Sequence, residues 1–390
     1  MKKKIIFLTK ALWIGGIETA LVNLLKYFDY DKYDVTLLVL KAELDMLDQI
    51  QPKCRVMIAD REETVTFQER YRYGSLFHLT EKSDAPSRLH KMMMWTVPII
   101  RWVENRLYIR YIKKQMKNER FDTAVIYSDV AGETAIRAIK ADKYLMFYHH
   151  GAMRHVYHDK IAYKKCEKII SVSEHQAEVL RKFNLRYSNK VTAIPNLIDV
   201  AGIREKSLAL TRDQFDTTKF NIVSVGRVSH EKGMDLAVKA CAELVKGGND
   251  NIRWWIVGDG PAMQEVRKII AELDMDAYVI TVGMQTNPYP YIRQANLYVQ
   301  PSRFEAFGLT ILEAMILGKA VLATDTMGAH ASIENGKNGL ICDATEKKLA
   351  EQIKALILCL NKLKKLERAV QQIDFTEHNK NSLSRIEALL

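Results

Sequence analysis

The 390-residue chain is poor in cysteine and gives its cysteines no pattern: Cys54, Cys166, Cys241, Cys342 and Cys359 are odd in number, scattered and never spaced C-x-x-C. That argues against a zinc site and for a reducing compartment. No stretch approaches 18 uninterrupted apolar residues, so no helix is expected to cross a membrane. The basic start MKKKIIFLTKALW contains an apolar run of only Ile5 to Leu8, a first strand rather than a secretory leader. The stretch VGDGP, ending at Pro261, lacks the third glycine of a dinucleotide fingerprint. His155 and His158 come without a third ligand, so no metal is expected there. Basic residues are plentiful, yet no nucleic-acid module appears and aromatics are not interleaved with the cations, so no nucleic-acid partner is expected.

What is present is an α/β alternation from end to end. With 48% hydrophobic residues, the chain can build two sizeable domains. Short continuous apolar runs predict strands at 4–9, 35–40, 55–59, 123–127, 144–149, 168–172 and 191–194, then at 221–225, 253–257, 278–282, 297–300, 320–323 and 339–342. Amphipathic stretches fill the gaps, the pattern of parallel sheets covered on both faces. Residues 200–218 turn polar before the fresh strand FNIVSVG, which places a linker there. The segment 61–91 is charged, aromatic and aperiodic, either a long ordered insertion or a loop.

Residues 301–318, PSRFEAFGLTILEAMILG, carry Glu305 and Glu313 across a loop-to-helix junction. A helix starting between Phe307 and Leu309, just after Gly308, offers free N–H groups to an anion at the carboxyl end of a strand. Two carboxylates beside such a site accept hydrogen bonds from vicinal hydroxyls, as of a ribose and a sugar; otherwise they are a solvated loop residue and a helix-surface charge. In VSVGRVSHEKGMDLAV, Gly226 permits a turn, and Arg227 and Lys232 set two cations before a helix beginning near Gly233. That suits a diphosphate, or else two solvated cations. In LWIGGIE, Gly15 and Gly16 make either a tight turn or a close approach to phosphate or sugar. The strand KYLMFY runs into His149 and His150, which point to opposite faces, so at most one can meet a given ligand.

Together these stretches resemble glycosyltransferase family 4, retaining enzymes of the GT-B fold. Residues 301–318 are similar to the family's P-S-x-x-E-G-F-G-L-x-x-x-E-A-M-A-x-G and depart from it at Ala306 and Ile316. Gly15, Gly16 and Glu18 match G-G-x-E, His150 matches H-G, Arg227 and Lys232 match G-R-x-x-x-x-K-G, and Asn335 to Leu340 is like D-G-x-N-G-L. The resemblance implies two Rossmann-like domains with parallel sheets and the active site in the cleft between them. Residues 1–205 would bind the acceptor, 206–375 the nucleotide sugar, and 376–390 would form a terminal helix returning to the N-terminal domain. The implied reaction moves a hexose from a nucleoside diphosphate sugar, UDP by family frequency, to a saccharide or lipid-linked saccharide acceptor, in surface polysaccharide or glycolipid synthesis. It implies no metal or other cofactor.

The residues carried over follow the same motifs. Glu313 would bind the ribose and Arg227 and Lys232 the diphosphate. Glu305 would take the sugar's ring hydroxyls and His150 its far edge; these last four would be the catalytic group. Gly15 and Gly16 would face the diphosphate and Glu18 the acceptor. Gly226, Phe307, Gly308 and Leu309 would complete the donor site, with the base against 281–285, at Gly283 and Met284. Two other readings stay open. A metal-dependent GT-A transferase needs an Asp-x-Asp, present as Asp29-Tyr30-Asp31 and Asp274-Met275-Asp276, both before a strand and so at the wrong end of a parallel sheet. A non-catalytic basic protein binding lipid or nucleic acid would leave the diphosphate motifs without a purpose.

Charge is uneven. Residues 1–199 hold 34 Lys/Arg against 24 Asp/Glu, and residues 200–390 hold 24 against 23. The excess peaks over 88–120, with nine Lys/Arg against two Glu. There Leu107, Tyr108, Ile109, Tyr111, Ile112 and Met116 are expected on one helix side, and Arg106, Arg110, Lys113, Lys114, Lys117 and Arg120 on the other. With Trp95 and Trp102 nearby, this face suits an anionic membrane surface, the expectation for a cytoplasmic enzyme held peripherally on the inner face of the cell membrane. A solvated face of a packed helix is the plainer alternative.

Overall fold

Ile5, Ile6, Phe7 and Leu8 are fully buried, as the middle of a strand covered on both faces must be. In the computed structural model they lie within β1 (Lys3–Thr9). Residues 2–59, 103, 105–117, 119–128, 131–149, 160–183, 185–211 and 215–390 are described; the segment 61–91, Trp95, Trp102, His150, His155 and His158 lie outside them. After β1 come β2 (Tyr33–Val39), β3 (Arg55–Ile58), β4 (Arg120–Ile126), β5 (Lys140–Tyr148), β6 (Lys168–Ser171) and β7 (Val191–Ala193), in the sheet order β3-β2-β1-β4-β5-β6-β7. The second sheet holds β8 (Phe220–Val225), β9 (Ile252–Val257), β10 (Val279–Gly283), β11 (Leu297–Gln300), β12 (Val321–Thr324) and β13 (Leu340–Cys342), ordered β10-β9-β8-β11-β12-β13. β1 pairs parallel with β2 and β4, and β8 with β9 and β11.

Each expected strand is found. The largest shift is β5, which begins at Lys140 because its polar first residues still pair with β4, Lys140 with Arg120 and Ala141 with Phe121. In both sheets the order reverses around the first strand, between β1 and β4 and between β8 and β11. Loops leaving the two strands of such a switch point diverge, opening a crevice at the carboxyl ends. Three strands of the second sheet are tied through one side chain: the fully buried Trp254 donates its indole N–H to Ser224 Oγ at 3.0 Å, and Ser224 donates to the Val299 carbonyl at 2.6 Å.

The chain divides into two compact units, one of Met1–Tyr148, Tyr157–Ile169 and Leu390, the other of His149–Val156 and Ile170–Leu389. This differs from a boundary at residue 205. Ile198 and Ile203 share a core with Val223, Val225 and Tyr298. The last helix, Phe375–Glu387, docks on the same segment: the buried Asn379 accepts from the Ile198 N–H at 2.9 Å and donates to the Ile198 carbonyl at 2.6 Å.

Residues 105–115 are helical. Ile109, Ile112 and Met116 are buried, Tyr108 donates to the Leu40 carbonyl at 2.8 Å, and Arg110, Lys113, Lys114 and Lys117 are exposed. Two residues depart from the expected faces. Leu107 is exposed, because at 100° per residue it lies opposite the buried stripe. Arg120 is not on the helix at all; it opens β4 and pairs with Asp142. Among the described residues no helix is long and apolar enough to cross a membrane.

Candidate active site

The loop from β8 to the helix Met234–Lys246 and the loop from β11 to the helix Leu309–Ile316 flank the second switch point. They are laced together. Arg303 forks onto both carboxylate oxygens of Asp235 at 2.7 Å, and also donates to the His230 carbonyl at 2.9 Å. The backbone N–H groups of Arg303 and Phe304 both donate to the Glu231 carbonyl. A bidentate guanidinium pair of this kind fixes orientation as well as distance.

Within this frame Lys232 Nζ lies 2.6 Å from Glu305 Oε2, with the two side chains 27% and 12% exposed. The Glu305 carbonyl in turn accepts the Gly328 N–H at 2.9 Å. Arg227 stands exposed on the same loop as Lys232. That loop rests on the VGDGP stretch: the Gly226 N–H donates to the Val257 carbonyl, the Val228 N–H to Asp259, and the Ala262 N–H to Val228. The glycines that fail as a dinucleotide fingerprint thus support the cation-bearing loop.

Glu313 is buried one turn into its helix, which Gly308 caps and Leu309 begins. The Tyr289 hydroxyl donates to Glu313 Oε1 at 3.3 Å. Burial pushes the Glu313 carboxyl up to about 7, and the Tyr289 bond offsets this only in part. Burial raises the Tyr289 phenol too, so it stays a proton donor. Phe307 turns its ring into the core with Ala306 and Ile311, leaving its backbone for any ligand. Gly283 ends β10 and accepts the Gly258 N–H at 2.9 Å, and Met284 beyond it is 62% exposed.

A pH effect follows from Glu313. A carboxyl whose folded value lies above the unfolded one near 4.5 binds its proton more tightly in the folded chain. Its stabilising contribution is complete below the unfolded value and is lost as pH rises through about 7. Glu18 behaves alike, raised by burial to about 7. Glu313→Gln is therefore expected to remove about half of the stability loss these two groups cause between roughly pH 5 and 8, on the order of 3 kcal/mol. Urea unfolding across that range measures it; an unchanged pH slope would show that Glu313 titrates normally.

In the first unit, Gly15 and Gly16 open the helix Gly16–Tyr27 at the carboxyl end of β1. Glu18 does not present itself to a ligand: it is 5% exposed, and its carboxylate is turned back over Gly15. Arg110, Lys113 and Lys114 belong to a separate helix and Lys117 to the turn that follows it. The second unit therefore gathers Gly226, Arg227, Lys232, Glu305 and Glu313 around one switch point. Tyr289 and Gly328 complete the group; neither sits in a motif that would have singled it out.

A family model described as Glycosyltransferase Family 4 matches residues 14–201, and one described as Glycosyl transferases group 1 matches residues 210–373. The chain belongs to the GT-B glycosyltransferases. Among its relatives, an alpha-D-kanosaminyltransferase of Streptomyces kanamyceticus is 34% identical over 31% of this chain and 31% of its own length. A Campylobacter jejuni protein named N-acetylgalactosamine-N,N'-diacetylbacillosaminyl-diphospho-undecaprenol 4-alpha-N-acetylgalactosaminyltransferase is 27% identical over 50% of this chain and 52% of its own length. The chain thus spans about a third to a half of the length of these relatives. The structure of Anabaena Alr3699/HepE in complex with UDP and glucose superimposes with a TM-score of 0.71 over 99% of this chain and 100% of that one, at 18% identity. TarM of S. aureus gives 0.69 over 99% of each chain at 13% identity. At such identities the likeness is one of fold, and the GT-B architecture is the one the motifs implied.

Proposed function

We propose that this glycosyltransferase moves a hexose from a UDP-sugar, with retention of anomeric configuration, to a saccharide or lipid-diphosphate-linked saccharide acceptor of a surface polysaccharide or glycolipid. The observation that carries the reading is the Lys232–Glu305 pair beside buried Glu313, on the loops and helix that leave β8 and β11. Lys232 and Arg227 supply positive charge for the diphosphate, Glu305 takes the sugar's hydroxyls, and Glu313 accepts from the ribose diol. In the reaction the bond from the anomeric carbon to the phosphate oxygen breaks while a bond to the acceptor oxygen forms on the same face. The acceptor's proton passes to the departing phosphate oxygen. Stabilising the charge on that leaving group is the protein's main contribution. His150 is assigned the far edge of the sugar on motif grounds alone.

The reading takes no metal ion. Of the two Asp-x-Asp stretches, Asp29 is engaged in its own turn, accepting from the Asp31 and Lys32 N–H groups at 2.9 and 3.3 Å; Asp274 sits in a left-handed turn before β10. Relatives named for a diphospho-undecaprenol-linked acceptor and for poly(ribitol-phosphate) support a cell-surface polymer or its carrier as acceptor.

UDP at about 100 times its dissociation constant is expected to stabilise the chain by about 2.7 kcal/mol, read as a thermal shift. An oligonucleotide should give none; the reverse result would favour a nucleic-acid-binding protein. The exposed Arg110, Lys113, Lys114 and Lys117 support peripheral attachment to an anionic membrane, each worth about 1 kcal/mol where it reaches the surface. Liposome sedimentation should then require anionic lipid, weaken with salt, and fall when these four become Glu. Equal binding to neutral liposomes would leave them as solvated charge.

A further inference from the structure

Trp13 stands on the loop leaving β1, at the carboxyl side of the first switch point, and is 38% exposed, with Ile14 beside it 48% exposed. Its setting is built. Leu12 is fully buried; its N–H donates to the Glu43 carbonyl at 2.7 Å and its carbonyl accepts the Met46 N–H at 2.9 Å, so the chain enters Trp13 from a fixed point. The indole N–H donates to the Glu18 carboxylate, and the Lys10 ammonium lies 5.0 Å from the ring centroid. Gly15 makes room for this. Its φ of −159° is extended backbone open to any residue, but a Cβ there would lie 2.5 Å from Glu18 Oε2 and 3.5 Å from the indole nitrogen. The fully buried Tyr127, which follows β4 across the switch point, lies within electrostatic reach of Glu18.

We infer that Trp13 is the aromatic platform on which a pyranose ring of the acceptor stacks, and that Glu18 is a positioning residue that fixes the plane of the indole. The inference rests on the transferase reading. A pyranose is amphipathic: its C–H face is apolar and matches an indole face, while its hydroxyls point outward from the rim. Glu18, being buried, reaches the sugar only through Trp13. A rigid ring anchored by its N–H loses little freedom on binding, which is what makes an aromatic side chain an efficient platform.

Saturation-transfer NMR on the full chain with UDP present tests this, using methyl glucosides, galactosides and N-acetylglucosaminides of both anomeric forms. Ring protons of at least one glycoside should be saturated by the wild type and by Trp13→Phe, with the signal reduced about fivefold in Trp13→Ala. Glu18→Gln, which keeps an acceptor for the indole N–H, should retain most of the signal. Glu18→Ala should lose it, and the Trp13→Ala/Glu18→Ala double variant should lose no more than Trp13→Ala. The UDP thermal shift should be the same in all of them, showing that each is folded. Equal saturation by wild type and Trp13→Ala, additive losses in the double variant, or no saturation of any glycoside by the wild type would overturn the inference. Absence of a UDP shift in the wild type would instead overturn the transferase reading, so the two fail separately.

Discussion

Lys232→Ala is expected to lower kcat for UDP-hexose turnover by about two orders of magnitude, equivalent to about 2.7 kcal/mol of transition-state stabilisation. The size follows from position. Lys232 is only 27% exposed and its ammonium is held 2.6 Å from Glu305, so its charge is in place before the leaving group develops its own and no reorganisation is needed. The substitution has a second effect, since it strips Glu305, itself 12% exposed, of its cation. Glu305→Gln separates the two: it removes the pair and keeps the ammonium. If Lys232 acts on the diphosphate, the alanine variant should lose far more kcat than the Glu305→Gln variant loses through the pair alone. Glu305→Gln should keep the wild-type stability to within about 1 kcal/mol, whereas Lys232→Ala, which leaves a mostly buried carboxylate unpaired, should lose more. Near-normal turnover in Lys232→Ala would remove the diphosphate role.

Gly233→Ala should have the largest effect on stability, about 4 kcal/mol or more. Gly233 caps the helix Met234–Lys246 in the left-handed region, at φ 66° and ψ 28°. A Cβ there would lie 1.9 Å from the Pro301 carbonyl oxygen and 2.9 Å from its carbon. Neither atom is the end of a flexible side chain, so the β8 and β11 loops would have to part, taking Arg303 off Asp235. Gly248 supplies the control, with φ of 78° and nothing within 4 Å of a Cβ. Gly248→Ala should cost about 1 kcal/mol, the backbone conformation alone. Thermal unfolding with UDP present and absent measures both. Equal losses at the two sites would mean that the loops yield easily, and the lacing through Arg303 would then have little energetic weight.

The strands were legible because a parallel strand buried on both faces has little freedom of composition: Ile5–Leu8, Ile222–Val225 and Leu297–Val299 leave almost no polar alternative. Lys232, Glu305 and Glu313 were singled out for a different reason, their match to the linked positions of the family's motifs, since the spacing alone recurs by chance. Tyr289 was not. It lies 24 positions before Glu313, and only the β8/β11 switch brings the two together. Leu107 was misplaced because on the helix 105–115 it falls opposite the buried stripe, and Arg120 because the helical repeat was extended past the helix end. The chain leaves the helix before Lys117, whose φ of 45° is left-handed, and Arg120 is claimed by Asp142 across a strand pair. Trp13 carried no signal, since one aromatic beside a glycine turn is ordinary until its indole is seen against a buried carboxylate.

The central claim is that the second unit holds a UDP-sugar and activates it without a metal ion. Release of UDP from a panel of UDP-glucose, UDP-galactose and UDP-N-acetylglucosamine, assayed in EDTA with wild type and Lys232→Ala side by side, tests it most directly. The expected result is UDP release from at least one donor by the wild type, unaffected by the chelator and about 100-fold slower in the variant. Release from none of them, or release abolished by EDTA and restored by manganese, would contradict it.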